Sequence, residues 1–118
     1  MKNIVILNEQ HTLMEEQKQL LNATFGEEKW EIKKVPAEGW TKEQMDEEFY
    51  KLDLCNVIFA SPIPYLLKKL SYNSGFIGRD AMGDCPMVYV FHNDNREKKE
   101  LPNGKIIYTI AKTGWQLI

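Results

Sequence analysis

Three stretches of the chain consist almost entirely of apolar residues and are the length of a strand: Ile4–Leu7, Asn56–Ala60 and Met87–Phe91. Unbroken apolar runs of this length are typical of strands buried on both faces of a parallel sheet. Trp30–Val35 instead alternates between apolar and polar residues, which predicts a more exposed strand near a sheet edge. Ile106–Ile110 is predicted to be the last strand. Its short link to the preceding strand indicates a hairpin and an antiparallel orientation.

Capping signals predict where two helices begin. Thr12 is followed three residues later by Glu15, which predicts a helix that starts at Thr12 with a capping box and ends before Gly26. Thr41–Leu52 is predicted to be a second helix, with Thr41 and Gln44 as its capping box.

A third helix is predicted over Tyr65–Leu70, with Pro64 in its first turn. Asn73–Gly83 contains three glycines and is compatible with a loop or with a broken helix. The charged groups Asp46–Glu48 and Lys68–Lys69 are expected to form solvated helix faces. Pro102–Gly104 is a strong turn signal within a polar loop.

The predicted order is strand, helix, strand, helix, strand, helix, strand, strand. Such alternation is typical of an α/β, Rossmann-like domain. We therefore expect one domain over residues 1–118, with a mostly parallel sheet of about five strands, helices on both faces and an antiparallel C-terminal strand.

Composition and charge narrow the classes of function. The 118 residues carry 15 basic and 17 acidic side chains, a net charge of −2, which argues against a surface for long nucleic acid. A small anionic ligand stays possible, because a few backbone N–H groups can bind it. Cys55 and Cys85 lack metal-ligand spacing, so neither a metal site nor a disulfide is expected. The first apolar run stops at Asn8, too short for a signal peptide or a membrane span, which favours the cytoplasm.

Ligands of doubly wound sheets bind beyond the carboxyl ends of the strands. Residues that follow the three apolar strands are therefore predicted to meet at one edge of the sheet. These segments are Asn8–His11, Ser61–Tyr65 and His92–Asn95.

His11 is the first candidate for chemistry, because it lies between a strand and a helix start and could bind or protonate a phosphate. The alternative is a solvent-exposed histidine that only precedes a cap. No glycine-rich dinucleotide motif and no Walker-type lysine motif follows the first strand, so a standard dinucleotide or triphosphate site is not expected.

The other two segments supply further candidates. Ser61 could donate to a phosphate and Tyr65 could stack on a base, or they could cap a helix and pack in the core. His92 could approach His11 as an acid–base partner, whereas His92, Asn93 and Asp94 together could equally be turn residues. Trp40 and Trp115 are expected to be packing or interface residues.

Two segments carry a resemblance to a known family. They are His11–Gln17, which reads His-x-Leu-x-x-Glu-Gln after the first strand, and Val57–Leu67, an apolar strand that enters a proline loop and an apolar helix. With the C-terminal pair of strands, they resemble the small single-domain CRISPR-associated CARF-like proteins of type III systems. Some members of that family are ring nucleases that degrade cyclic oligoadenylate messengers. The chain departs from the family pattern at Gln10, Met14 and Ile63.

The resemblance implies a homodimer that binds a cyclic oligoadenylate, or another small nucleotide, across its two-fold axis. It implies cleavage without metal or cofactor, by attack of a ribose 2′-hydroxyl on the neighbouring phosphate, with His11 as the catalytic residue. The implied ligand-binding residues are Asn8, Gln10, Thr12, Ser61, Tyr65, His92 and Asn93. Two alternatives stay open: a non-catalytic receptor or sponge for the same ligand, and a flavodoxin-like structural or regulatory module that binds no nucleotide.

Overall fold

The computed structural model describes residues 1–74 and 86–118. The strands are β1 (Asn3–Asn8), β2 (Glu31–Val35), β3 (Asn56–Phe59), β4 (Val88–Asn93), β5 (Arg96–Glu100), β6 (Ile106–Ile110) and β7 (Trp115–Leu117). The helices are α1 (Glu15–Phe25), α2 (Lys42–Leu52) and α3 (Pro64–Ser74).

Five of the strands form one sheet in the order β2-β1-β3-β4-β7. The pairs β1·β2, β1·β3 and β3·β4 are parallel, and β7 runs antiparallel to β4. The prediction of a mostly parallel, Rossmann-like α/β sheet with an antiparallel C-terminal strand is confirmed.

The two faces of β1 bury alternate residues. Ile4 and Ile6 pack in a cluster with Phe49 of α2 and Leu66 of α3, whereas Val5 and Leu7 pack with residues of α1. Both faces of the strand are therefore covered by helices, which explains the unbroken apolar run.

β2 is an edge strand, as its alternating sequence predicts. Val35 is buried whereas Ile32 is 41% exposed, so only part of the strand contributes to the core.

α1 begins later than predicted. Its first helical residue is Glu15 and its N-cap is Met14, whose backbone N–H donates to Oε1 of Gln17 at 2.8 Å. Thr12 is exposed and precedes the helix, so the predicted capping box of Thr12 and Glu15 is wrong. Leu13 is buried, and we attribute the late start to the extended chain that carries this side chain into the core on the α1 side.

α2 has the predicted cap. The Thr41 side chain accepts a hydrogen bond from Gln44 N at 3.1 Å, and Thr41 N donates to Gln44 Oε1 at 2.8 Å. α3 begins at Pro64, as predicted, and continues to Ser74. The rest of the stretch predicted as a loop or broken helix lies outside the described residues.

The C-terminal part of the chain corrects one prediction. Ile106–Ile110 is a strand, but its antiparallel partner is β5, in a separate two-stranded sheet, and not β4. β5 was expected to be a polar loop, because all five of its residues are charged and exposed and give no hydrophobic pattern. The predicted turn at Pro102–Gly104 joins the two strands, with Leu101 N donating to Lys105 O at 2.8 Å.

Two smaller expectations concern cysteines and membranes. Cys55 is a free, partly buried thiol, and burial raises its pKa; Cys85 lies outside the described residues. In the part of the chain that the structure describes, no helix is long and apolar enough to cross a membrane.

Candidate functional site

The site lies where the order of the sheet reverses. From β1 the chain crosses to β2 on one side, and from β2 it crosses back past β1 to β3 on the other. The loops after β1 and β3 therefore diverge above two adjacent strands. In sheets of this type such a crevice is the usual place for a ligand.

Ser61 joins the two strand ends. It is buried, its backbone N–H donates to Ile6 O at 3.1 Å, and its Oγ accepts a hydrogen bond from Asn8 N at 2.8 Å. The loop after β3 is thus fixed against the end of β1.

His11 approaches the same hydroxyl. His11 Nδ1 lies 3.3 Å from Ser61 Oγ, while the side chain as a whole is exposed. The Ser61 oxygen already accepts from Asn8 N, so its hydroxyl hydrogen is available to donate to Nδ1 of a neutral ring. A neutral ring of this kind carries its hydrogen on Nε2, whereas a protonated ring would donate from Nδ1 to Ser61 Oγ; in both forms Nε2 carries a hydrogen that could be donated to a ligand.

The turn between β1 and α1 is held by its own hydrogen bonds. His11 N donates to Asn8 O at 2.9 Å, and Gln10 N donates to Asn8 Oδ1 at 2.9 Å. Glu9 Oε1 accepts from Ala37 N at 2.8 Å and so links this turn to the loop after β2. The predicted meeting of Asn8 with His11 and Ser61 is present, whereas Gln10 and Thr12 are exposed beside them.

A pocket of about 260 Å³, here called the strand-end pocket, opens beside Asn8 and Ser61. Its walls are mostly apolar and include Trp40, Ile63 and Tyr65. A larger hollow of about 390 Å³ is lined by Lys2, Ile4, Glu31 and Cys55, residues at the amino ends of the strands. Because parallel sheets bind ligands at the carboxyl ends, we take the strand-end pocket as the candidate site.

Tyr65 is both a wall of the pocket and a hydrogen-bond donor. Its hydroxyl donates to Asp46 Oδ1 at 2.7 Å, and Asp46 also accepts from Lys69 Nζ at 3.0 Å and Lys42 Nζ at 3.1 Å. These bonds hold the pKa of Asp46 well below its usual range, the one from Tyr65 most strongly. Glu47 and Lys68 are exposed, as expected for solvated helix faces, whereas Asp46 and Lys69 are only partly exposed and their contacts join α2 to α3.

Glu48, expected on the same solvated face, is also paired. Its carboxylate lies 2.8 Å from Lys33 Nζ, an ion pair that links α2 to the edge strand β2.

His92 and Asn93 have other contacts. His92 Nε2 lies 2.8 Å from Asp94 Oδ1, and buried Asn93 donates from Nδ2 to Ala111 O at 2.8 Å. β3 separates β4 from β1, so the ends of β4 and β1 are two strand spacings, or about 10 Å, apart. The structure brings neither residue into contact with His11 or Ser61.

Trp40 is a pocket residue that the sequence did not predict, since it was expected to be a packing or interface residue. It does contact the core cluster, and it also forms a wall of the strand-end pocket. The position of Trp40 in the loop after β2 could have predicted this role, because the carboxyl end of β2 lies at the same edge of the sheet as the carboxyl ends of β1 and β3. Within residues 1–74 and 86–118, no group of three or more His, Cys, Asp or Glu side chains could hold a metal ion.

The fold and the crevice define an α/β, Rossmann-like domain with a candidate ligand site at the switch point of its sheet. No family model, curated protein or solved structure matches the chain.

Proposed function

We propose that this chain is a cytoplasmic CARF-like protein that binds a cyclic oligoadenylate at the strand-end pocket and cleaves it with the help of His11. The observation that carries the proposal is the approach of His11 Nδ1 to Ser61 Oγ, 3.3 Å apart, beside a mostly apolar pocket at the switch point. The family resemblance supplies the identity of the ligand.

The pocket and the turn suit different parts of a nucleotide. The ring of Trp40 or Tyr65 could stack on an adenine, an interaction worth roughly 1–3 kcal/mol per base. The first turn of α1 carries Glu15 and Glu16, whose charges oppose a phosphate at that helix end. The phosphate is therefore assigned to His11, because the backbone N–H groups of Asn8, Gln10 and His11 already donate within the protein.

The proposed reaction is an internal transesterification. The 2′-oxygen of one ribose forms a bond to the adjacent phosphorus, and the bond from phosphorus to the 5′-oxygen breaks. The products are a linear oligonucleotide with a 2′,3′-cyclic phosphate and a free 5′-hydroxyl. A protonated His11 would give its proton to the leaving 5′-oxygen, and a base or water takes the proton of the 2′-hydroxyl.

The proposal includes a homodimer. A cyclic ligand with two-fold symmetry fits a two-fold axis, because each subunit then supplies the same contacts. Each copy would contribute one His11 and one strand-end pocket to the shared ligand.

The experiment is incubation of the purified chain with cyclic tri-, tetra- and hexa-adenylate without added metal, with products separated by chromatography. We expect linear products from one of these rings, and a loss of roughly 10²–10⁴-fold in rate for His11→Ala. His92→Ala is the matched control and should retain the rate. Full activity in His11→Ala would contradict the assigned role.

A receptor without catalysis is the second candidate, favoured by one observation. The second histidine is held by Asp94 about two strand spacings away, so the site has a single histidine rather than an acid–base pair. In that case the rings stay intact and co-elute with the protein, and His11→Ala weakens binding. If no ring is either cleaved or bound, both candidates fail and the plain regulatory or structural module is left.

A further inference from the structure

The strands β5 and β6 form a hairpin, here called the arm (Arg96–Ile110), that stands apart from the five-stranded sheet. Among the described residues the two strands pair only with each other. On β6, Ile106, Tyr108 and Ile110 are 47%, 67% and 51% exposed.

The base of the arm is fixed to the domain. Arg96 Nη1 donates to Asn93 O at 2.7 Å and to Asn95 O at 2.8 Å. On the other side, Glu16 Oε1 accepts from Gly114 N at 2.9 Å and from Trp115 N at 2.7 Å. The arm therefore leaves the domain in a set direction and presents the same surface in every copy.

The two edges of the arm differ in their tendency to pair with a further β-strand. β5 reads Arg-Glu-Lys-Lys-Glu, and charged edges of this kind, lysines above all, resist pairing with further strands. β6 reads Ile-Ile-Tyr-Thr-Ile, has no charge, and consists of the residue types most favoured in strands. The outer edge of β6 is thus an unprotected pairing edge.

We propose that β6 pairs antiparallel with β6 of a second copy, so that two arms form one four-stranded sheet. With the two-fold axis at Tyr108, this residue faces the partner's Tyr108, and Ile106 faces the partner's Ile110. The contact is isologous, as a two-fold dimer requires.

The register within the arm makes this surface self-complementary. Ile110 lies opposite Arg96, Tyr108 opposite Lys98, and Ile106 opposite Glu100. A row across the four strands then reads Arg96, Ile110, the partner's Ile106 and the partner's Glu100. The interface has an apolar centre two strands wide, with charges of opposite sign at the two ends of its outer rows, which is the usual arrangement of a specific interface.

The small size of the surface indicates a weak, reversible dimer. Specific interfaces bury on the order of 800 Å² per partner, and the three apolar side chains of one arm with their backbone supply less than that. We therefore expect a dissociation constant on the order of micromolar, and the measurement belongs at tens to hundreds of micromolar chain.

The test is sedimentation equilibrium of the full chain without ligand. We expect wild type to dimerise, and Tyr108→Glu and Tyr108→Lys each to be monomeric, because like charges then meet at the axis. A mixture of the two variants should form a one-to-one heterodimer, because opposite charges meet there. Tyr50→Glu is the matched control, since Tyr50 is 77% exposed on α2 and lies outside the arm; it should dimerise like wild type.

Circular dichroism and thermal midpoints establish that each variant is folded. A monomeric wild type, a dimeric Tyr108→Glu, or a mixture that stays monomeric would overturn the proposal. The outcome is separable from the ring-cleavage assay: a chain that cleaves rings and dimerises without Tyr108 would leave the proposed function standing and refute this interface.

Discussion

At the scale of single residues, Ser61 connects the fold to the site. It is 6% exposed, accepts a hydrogen bond from Asn8 N, and lies within reach of His11 Nδ1. A buried N–H that loses its acceptor costs the free energy of its desolvation. The same hydroxyl therefore stabilises the strand ends and orients the histidine.

Replacement of Ser61 by Ala should reduce the free energy of unfolding by about 1–3 kcal/mol, because Asn8 N loses its acceptor. Urea unfolding followed by fluorescence gives the difference. Thr24→Ala, which removes an exposed hydroxyl on α1, is the control and should change stability by no more than about 0.5 kcal/mol. Equal stability of Ser61→Ala and wild type would mean that the Asn8 N–H finds another acceptor.

The carboxyl group of Asp46 makes the stability of the folded chain depend on pH in the acidic range. Its pKa is lower in the folded chain than in the unfolded one, because Tyr65, Lys69 and Lys42 donate to the carboxylate. The stabilisation is fully present above the unfolded pKa of about 3.9 and is lost as the pH falls toward the folded pKa. We expect Asp46→Asn to lower the thermal midpoint at neutral pH, with a smaller deficit near pH 3.

The measurement is the thermal midpoint of wild type and Asp46→Asn across the acidic range. Glu47→Gln, at the exposed neighbouring position on α2, serves as the control and should follow the wild-type profile. A deficit of Asp46→Asn that does not vary with pH would show that the ionisation of Asp46 does not contribute to the stability.

At the scale of elements, the two capping motifs show what local sequence can and cannot fix. Both Thr12 and Thr41 are followed three residues later by a residue suited to a capping box, yet only Thr41 caps a helix. The first helix starts at Glu15, after buried Leu13 has been carried into the core. Burial of a leucine is worth about as much as a cap or more, so packing decided the start of α1.

The two threonines give a direct comparison. Thr41→Ala should destabilise the chain by about 1 kcal/mol, because Gln44 N loses its acceptor. Thr12→Ala should change stability by less than about 0.5 kcal/mol, because Thr12 is exposed and outside the helix. Urea unfolding of both variants checks this, and an equal loss would contradict the observed start of α1.

β5 is the opposite case, because here a strand is present that the local sequence does not predict. A strand of five charged residues has no apolar period, and it exists here because β6 and the turn at Pro102–Gly104 supply its partner. Pairing across a hairpin can thus impose a strand on residues that hydrophobic periodicity assigns to a loop.

At the scale of the whole molecule, sheet order determines which strands form the core. β3 lies at the centre of the five-stranded sheet and its Ile58 is fully buried, whereas β2 lies at an edge and its Ile32 is 41% exposed. An isoleucine in β3 is therefore expected to contribute more to the free energy of unfolding than an isoleucine in β2.

Ile58→Ala should cost about 2–5 kcal/mol, because it opens a cavity that its neighbours cannot fill. Ile32→Ala should cost less than about 1 kcal/mol, since solvent already reaches the side chain. Urea unfolding of the two variants gives both values, and similar losses would contradict the edge position of β2.

The site was predicted in part for the same topological reason. Parallel strands end at one edge, so the meeting of Asn8, His11 and Ser61 follows once the strands are known. The distance of His92 from them depends on which strand lies between, and the pairing of β3 with both β1 and β4 sets it.

The sequence by itself determined the α/β class, the parallel centre of the sheet, the cap of α2 and the residues at the ends of β1 and β3. These follow from local periodicity and capping, which act within a few residues of chain. Only the tertiary structure decided the start of α1, the pairing of β6 with a charged strand, the joining of α2 to α3 through Asp46, and the separation of the two histidines. Each of these depends on contacts between residues far apart in the chain, whose free energy outweighs local preference.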